Sequence, residues 1–338
     1  MAIALVTGGA GFIGSHLVDT LLEGGVDVRV LDNLSTGSLR NLQAGAERSP
    51  ASGRPGRRIE LMVGDVRDDK LARKAMRHVD CVYHLAGLPP GTTAGGHGEV
   101  HTVNVQGTLN VLQAAATEGV RRVVFASCAS IYGSTDGNPV TEDRPALPVS
   151  VFGASKLAGE IYCRAYHASR HVETVLLRYF NVYGPRQNAV LHGAFVPALI
   201  ETLRRGRRPI LTGDGRVGQD FLFVDDAVAA TVAAARSPRA AGAAINIGSG
   251  QLTSPVEMLG ILNRLLRADV VPRQGRPRSE PSAPARAGVA LAADLLGWAP
   301  RVSVVSGLAH TVQFFAEAEQ HDEGLLAEVG SHEERADF

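Results

Sequence analysis

An apolar run at Ala2–Val6 breaks directly into Thr7-Gly8-Gly9-Ala10-Gly11-Phe12-Ile13-Gly14, and this junction constrains the fold more than any other stretch. The run is too short for a helix and lacks polar alternation, so it reads as a strand buried on both faces, followed by a glycine turn that opens a helix. Glycine suits three needs there: a sharp reversal, approach of a pyrophosphate to the backbone amides, and close helix-to-strand packing. An ordinary tight turn would need only the first. The spacing points to a dinucleotide site lined by Gly8, Gly11, Phe12, Ile13 and Gly14.

The pattern repeats. Short apolar runs at Asp27–Leu31, Ile59–Val63, Cys81–Leu85, Val123–Ser127 and Thr174–Leu177 are each followed by an amphipathic or alanine-rich segment. That alternation predicts an α/β fold, a Rossmann-type doubly wound parallel sheet whose strands are buried on both faces. Beyond Leu177 the rhythm loosens, with helices expected over Ala194–Arg205 and Asp226–Ala235 and from Pro255 and Val304, and strands near Phe221–Val224 and Ala243–Ile247. The expected division is a dinucleotide-binding domain over 1–177 plus about 220–248, a smaller α/β C-terminal substrate domain over 178–219 plus 249–316, and a charged tail at 317–338. Gly45–Arg57 and Gln274–Pro284, rich in Pro, Gly, Ser and Arg, read as surface loops.

Lysine plus arginine and aspartate plus glutamate both number 34, so no net field recruits nucleic acid or an acidic membrane. Cys81, Cys128 and Cys163 form no C-x-x-C and no histidine cluster joins them, which argues against a metal and for a reducing compartment. No basic leader precedes Ala2 and no apolar run approaches about 18 residues, so the expected location is cytoplasmic. Only three of the 34 basic residues are lysines, which makes Lys156 conspicuous.

Asp32 closes the second apolar run, where a carboxylate accepts both adenosine ribose hydroxyls and repels a 2′-phosphate, favouring NAD over NADP. Asp65, followed by Val66, closes the third and is placed either to meet the adenine or to cap the helix from Arg67 onward.

These residues resemble the extended short-chain dehydrogenase/reductases, specifically the NAD-dependent epimerase/dehydratase branch. The likeness runs from about Ile3 to Trp298. It includes Asp32-Asn33-Leu34-Ser35-Thr36-Gly37, Tyr83-His84-Leu85-Ala86, Asn104-Val105-Gln106-Gly107-Thr108, Ser130-Ile131-Tyr132-Gly133, Arg178-Tyr179-Phe180-Asn181-Val182-Tyr183-Gly184-Pro185-Arg186, Phe223-Val224-Asp225-Asp226, Asn246-Ile247-Gly248-Ser249-Gly250 and Leu295-Leu296-Gly297-Trp298. The resemblance implies a bound NAD that oxidises a carbon of a nucleotide-linked sugar, usually C4, in an epimerase or related oxidoreductase. UDP- or dTDP-hexoses are the implied substrates. It adds Asn33, Ser35, Thr36, Gly37, Leu85, Ala86, Gly87, Asn104, Ala126, Lys156, Tyr179, Asn181 and Val182 to the cofactor site, and Cys128, Ser130, Phe152, Asn181, Val196 and Gln219 to the sugar site. A homodimer through helices over Thr102–Thr117 and Gly153–Ala168, with exposed Ala, Val, Leu and Tyr, is implied as well; an intramolecular core fits the same residues.

Departures from the family pattern are as informative as the matches. In the family a Tyr-x-x-x-Lys tyrosine takes the hydroxyl proton and a Ser or Thr shares the hydrogen bond. Here those positions are Phe152 and Cys128, with the lysine kept at Lys156. Three readings stay open: a divergent enzyme with another base, a cofactor-binding relative without turnover, or an engineered Tyr→Phe variant. Cys128 is the candidate replacement, its thiol acidified by Lys156 and NAD⁺, or else a small buried hydrophobe. Gln219 stands where the family carries an arginine on the diphosphate, and a second such arginine aligns near Ala283, with Arg276, Arg278 and Arg286 close by. Cys128, Gln219 and Val151-Phe152 together favour natural divergence over a single engineered change. Dehydratases of the family place Asp-Glu, and decarboxylases a Glu, where this chain has Ala129 and Ser130. An epimerase-like or plain oxidoreductase site is the reading left. Asn181 is matched to the diphosphate, or forms a turn, and Asn104 bridges backbone near the lysine.

Overall fold

The computed structural model describes residues 3–42, 58–89, 96–135, 139–189, 194–275 and 285–317. The loop expected at 45–57, all of the loop expected at 274–284 except Gln274 and Gly275, and the tail beyond 317 lie outside the described residues, as do Ala283, Arg276 and Arg278; Gln274 itself is in a short strand.

The first half alternates as expected: β1 (Ile3–Thr7), α1 (Phe12–Glu23), β2 (Asp27–Asp32), β3 (Ile59–Val63), α2 (Asp69–Met76), β4 (Val79–His84) and α3 (Gly96–His101). Helix α3 passes through a π-helical segment (Thr102–Gln106) into α4 (Gly107–Thr117). Then come β5 (Arg122–Cys128), β6 (Pro139–Val140), α5 (Val151–Ala168), β7 (Glu173–Tyr179) and β8 (Asn181–Tyr183). Next are α6 (Phe195–Arg204), β9 (Ile210–Leu211), β10 (Phe221–Phe223), α7 (Val224–Arg236), β11 (Ala244–Ile247) and α8 (Pro255–Leu266). The described chain ends with β12 (Arg273–Gln274), β13 (Arg286–Ala287), α9 (Ala290–Leu296) and a helix over 304–317.

Seven strands form one parallel sheet in the order β11-β7-β5-β4-β1-β2-β3. The chain leaves β1 toward β2 on one side and returns to β4 on the other. The loops after β1 and β4 therefore diverge, opening a crevice at the carboxyl ends of the strands.

Side-chain alternation along each strand feeds two cores. Ala4, Val6, Val30, Tyr83 and Leu177 pack on one face with α1, α6, α7 and α8, in a cluster that also holds Trp298 and Leu308. Leu5, Leu31, Val82, Phe125 and Leu176 pack on the other with α2, α4 and α5. One apolar cluster thus joins the sheet to elements expected in the substrate domain. β3 corrects the expectation of burial on both faces: it is the edge strand among the described residues, and Val63 is 61% exposed.

Candidate active site

The crevice is a cleft of about 450 Å³ running from Asp32 and Asp65 to Phe152 and Lys156. Its floor is the glycine turn. Gly8 has φ +72°, and a Cβ there would lie 2.8 Å from Ala86 N, while one on Gly14 would lie 2.1 Å from Gly8 O. The backbone therefore approaches itself too closely for any side chain. Gly11 is the N-cap of α1 and no side chain caps that end, leaving the first amide groups of the helix for a ligand.

Asp32 is buried, and its two carboxylate oxygens accept from Ala10 N at 2.9 Å and Leu34 N at 2.8 Å. These bonds fix the carboxylate at the end of β2, where a ribose would lie. Asp65 accepts from Arg67 and from Asn33 Nδ2, and the Arg67 hydrogen bond foremost holds its carboxyl down at about 2. It shapes the turn before α2, but the helix N-cap is Asp68, which accepts from Leu71 N. The cradle fits a dinucleotide: a glycine turn that a Cβ would fill, an uncapped helix start and a fixed carboxylate.

At the other end, α5 begins at an N-cap, Ser150, whose side chain accepts from Gly153 N. Phe152 and Lys156, four residues apart on one face, both line the cleft. The helix lies close on β5 because Gly159 carries no Cβ, which would sit 2.6 Å from the Phe125 ring, and its start lies close on Ser130 because one on Gly153 would meet Ser130 O at 2.5 Å. Lys156 is buried, donates from Nζ to Ala126 O at 2.9 Å and lies 5.3 Å from the Phe125 ring centroid. Burial pushes its pKa below the usual lysine value.

Cys128 faces the same space at the end of β5. Its expected acidification is corrected: burial pushes the thiol up, outweighing Lys156 and the hydrogen bonds with Ser130. Ala129 and Ser130 also line this end. Among the described lining residues the carboxylates are Asp32 and Asp65, both at the far end.

Behind the cleft wall lies a network that sequence reasoning missed. Arg178 donates to both oxygens of Glu160 at 2.9 and 2.8 Å, Ser127 Oγ donates to the same carboxylate at 2.6 Å, and both charged side chains are almost fully buried. Arg178 also donates to the Tyr132 hydroxyl, which donates on to Asn246 Oδ1 at 2.7 Å. Tyr132 is thus structural, and Tyr162 is absent from the cleft lining. Glu160 stands one turn after Lys156, but nothing in its spacing showed that Arg178 would meet it. Arg186 and Gln187 line the cleft too, unforeseen.

The structure brings together most of the expected residues: Gly8, Gly11, Phe12, Ile13, Gly14, Asp32, Asn33, Ser35, Thr36, Asp65, Val66, Leu85, Ala86, Gly87, Ala126, Cys128, Ser130, Phe152, Lys156, Tyr179, Asn181 and Val182. Four lie elsewhere. Gly37 packs behind the turn, where a Cβ would meet the Ala10 carbonyl carbon at 2.8 Å. Asn104 sits behind Gly87, accepting from Leu88 N and donating to Leu88 O and Ser155 Oγ. Val196 is core, 1% exposed. The Gln219 backbone exchanges hydrogen bonds with Thr253, and the residue is also bridged to Ala285, outside the cleft lining. Its neighbour Asp220 was overlooked: fully buried, it accepts from Ser249, Gly250 and Ala287, while its carbonyl accepts from Asn181 N and Nδ2.

Among the described residues no cluster of His, Cys, Asp or Glu could hold a metal ion, and no helix is long and apolar enough to cross a membrane. The profile of the NAD dependent epimerase/dehydratase family matches residues 4–248. The UDP-glucose 4-epimerase of Mycolicibacterium smegmatis is 36% identical over 319 residues, covering 94% of this chain and 99% of that protein. The structure of UDP-glucose 4-epimerase from Thermotoga maritima, solved with UDP-glucose, superposes with a TM-score of 0.85 at 30% identity, covering 94% of this chain and 99% of that one. A dTDP-glucose 4,6-dehydratase from Streptomyces venezuelae, solved with NAD bound, gives 0.83 at 33% identity over 93% and 97%.

Proposed function

Since the chain belongs to the NAD-dependent epimerase/dehydratase family, we propose that it is a nucleotide-sugar 4-epimerase or related oxidoreductase, acting on a UDP- or dTDP-hexose with altered proton-transfer residues. NAD, when bound, supplies reversible oxidation at the sugar C4. In this reading Gly11 to Gly14 hold the pyrophosphate, Asp32 the adenosine ribose and Lys156 the nicotinamide ribose.

The observation that carries the reading is the makeup of the reactive end. Lys156 is kept beside Phe152, Cys128 stands across from them, and no carboxylate occupies positions 129 and 130. Without that carboxylate, elimination and decarboxylation lack their group, which favours simple oxidation and return. Phe152 cannot carry a proton. Burial moves Lys156 toward its neutral amine and Cys128 toward its neutral thiol. The amine then accepts the proton from the sugar hydroxyl, and the thiol donates a hydrogen bond to the same oxygen. Pairing with a second copy through α5, where Ala154, Ile161, Tyr162 and Ala165 are exposed, completes the proposal.

A silent NAD and sugar-nucleotide binder is the second reading, favoured by the two missing hydroxyls. A proton NMR time course with NAD and a panel of UDP- and dTDP-hexoses, run beside Phe152→Tyr, separates the two. Turnover by the unmodified protein is the expected outcome, with Phe152→Tyr faster by about 10²–10⁴. Turnover by Phe152→Tyr alone would establish the silent binder, and inactivity of both would overturn the substrate class.

A further inference from the structure

Arg186 has a guanidinium that is only half engaged. Nη2 donates to Asp19 Oδ2 at 2.7 Å, whereas Nη1 is buried and has no hydrogen-bond partner among the described residues. Its backbone lies in the left-handed region, φ 63°, which a non-glycine residue rarely adopts. The next residue repeats the pattern: Gln187 donates from Nε2 to Val182 O, but its Oε1 is buried without a partner. Buried polar atoms are nearly always satisfied, so the unpartnered donor on Arg186 leaves a place for a ligand's acceptor, whereas Gln187 Oε1 and Asp19 Oδ1, also buried without partners among the described residues, are acceptors and call for a donor.

The location says what kind of ligand. The loop carrying Arg186 is fastened to α1 twice, by His16 Nε2 donating to Pro185 O at 3.0 Å and by Arg186 on Asp19. Helix α1 is the one whose uncapped start favours an anion. On its other side the loop follows β8, which begins with Asn181. Of the two cationic side chains lining the cleft among the described residues, Lys156 spends Nζ on Ala126 O. Arg186 is a permanent cation whose Nη1 is left to donate, a charge-assisted hydrogen bond suited to phosphate.

We infer that Arg186 binds a diphosphate group, Nη1 donating to a phosphate oxygen between the start of α1 and Asn181 while Asp19 fixes the guanidinium plane from behind. This assignment rests on the nucleotide-sugar reading of the cleft. The cofactor pyrophosphate and the diphosphate of the sugar nucleotide share the chemistry, and binding measurements distinguish them.

The experiment is a ligand-observed NMR titration of the unmodified protein, Arg186→Gln and Asp19→Asn with NAD and adenosine, and with UDP and uridine at saturating NAD. Binding by the unmodified protein reports on the nucleotide-sugar reading by itself. Arg186→Gln is expected to weaken NAD or UDP by about 10- to 100-fold and to leave adenosine and uridine unchanged. Whichever ligand loses affinity identifies the source. Asp19→Asn is expected to bind that ligand within a few-fold of the unmodified protein, because the asparagine Oδ1 still accepts from Nη2 and holds the guanidinium plane. No loss in Arg186→Gln, an equal loss for ligands with and without diphosphate, or the same loss in Asp19→Asn would overturn the assignment and leave a structural latch.

Discussion

The phenyl ring of Phe152 offers no proton carrier and Lys156 stands one helical turn away, so in the proposed reading the chemistry rests on what Lys156 and Cys128 can do. Their environment decides this. Both are enclosed enough that burial outweighs their mutual attraction, which lowers the pKa of the amine and raises that of the thiol. Lys156→Met is therefore expected to lower turnover by about 10²–10⁴, with NAD affinity measured alongside to separate proton transfer from ribose binding. Cys128→Ser keeps a hydrogen-bond donor and should stay within a few-fold of the unmodified rate. The rate should rise with pH until Lys156 has lost its proton, a limb that Phe152→Tyr would displace. A flat pH profile would count against Lys156 as acceptor. The residues of this end were legible from the Phe152-Gly153-Ala154-Ser155-Lys156 run, but the sign of the Cys128 shift was not. Sequence shows that a lysine is near; it does not show that the fold encloses them both.

Three elements meet at a buried chain of hydrogen bonds behind the glycine turn. Thr108, on α4, gives its hydroxyl proton to Asn104 O at 2.7 Å, so it accepts from His84 Nε2 at 2.9 Å. His84, at the end of β4, must then accept at Nδ1 from Thr7 Oγ1 of β1 at 2.8 Å, which fixes a neutral tautomer. Burial foremost pushes its pKa down to about 3. An unfolded chain protonates this histidine below about 6.5, whereas the folded chain resists until about 3. The stabilisation is thus complete above 6.5 and lost as the pH falls toward 3, with a slope of about 1.4 kcal/mol per pH unit. Urea unfolding at pH 7 and pH 5 should show the unmodified protein losing about 2 kcal/mol more than His84→Gln over that interval; equal losses would mean His84 titrates freely in the fold. The strands and helices meeting here were legible because each is long and periodic. The π-helical segment at Thr102–Gln106 and the two-residue strands β6, β9, β12 and β13 were not, since their partners are distant in sequence and their pattern is too short to show a period. The place of Gln219 outside the cleft lining was not legible for the same reason: it is set by Thr253 and Ala285, contacts that no local spacing encodes.

At the scale of the whole molecule, α4 and α5 cover the same face of the sheet but differ in what they leave exposed. The expectation that both helices expose apolar residues holds for only one. On α4 the side chains left exposed are polar, Gln113 and Thr117, while Val111 and Leu112 are buried in the second core. Helix α5 buries Cys163 and Lys156 but leaves Ala154, Ile161 and Ala165 exposed at helical spacing, beside Tyr162, with Ala158 half-buried in the same stripe. Ile161 is 59% exposed on a helix otherwise well packed against β5 and β7. A narrow stripe of alanines around one isoleucine lets two helix backbones approach closely, as an antiparallel pairing with a second copy would require. Sedimentation should therefore give twice the monomer mass for the unmodified protein. Ile161→Arg, which adds no burden to the monomer core, should return it to the monomer with its thermal midpoint read in the same buffer. Because α5 also carries Phe152 and Lys156, loss of pairing should lower turnover through the position of those two residues while leaving adenosine binding unchanged. A dimer that persists in Ile161→Arg would place the contact on another face.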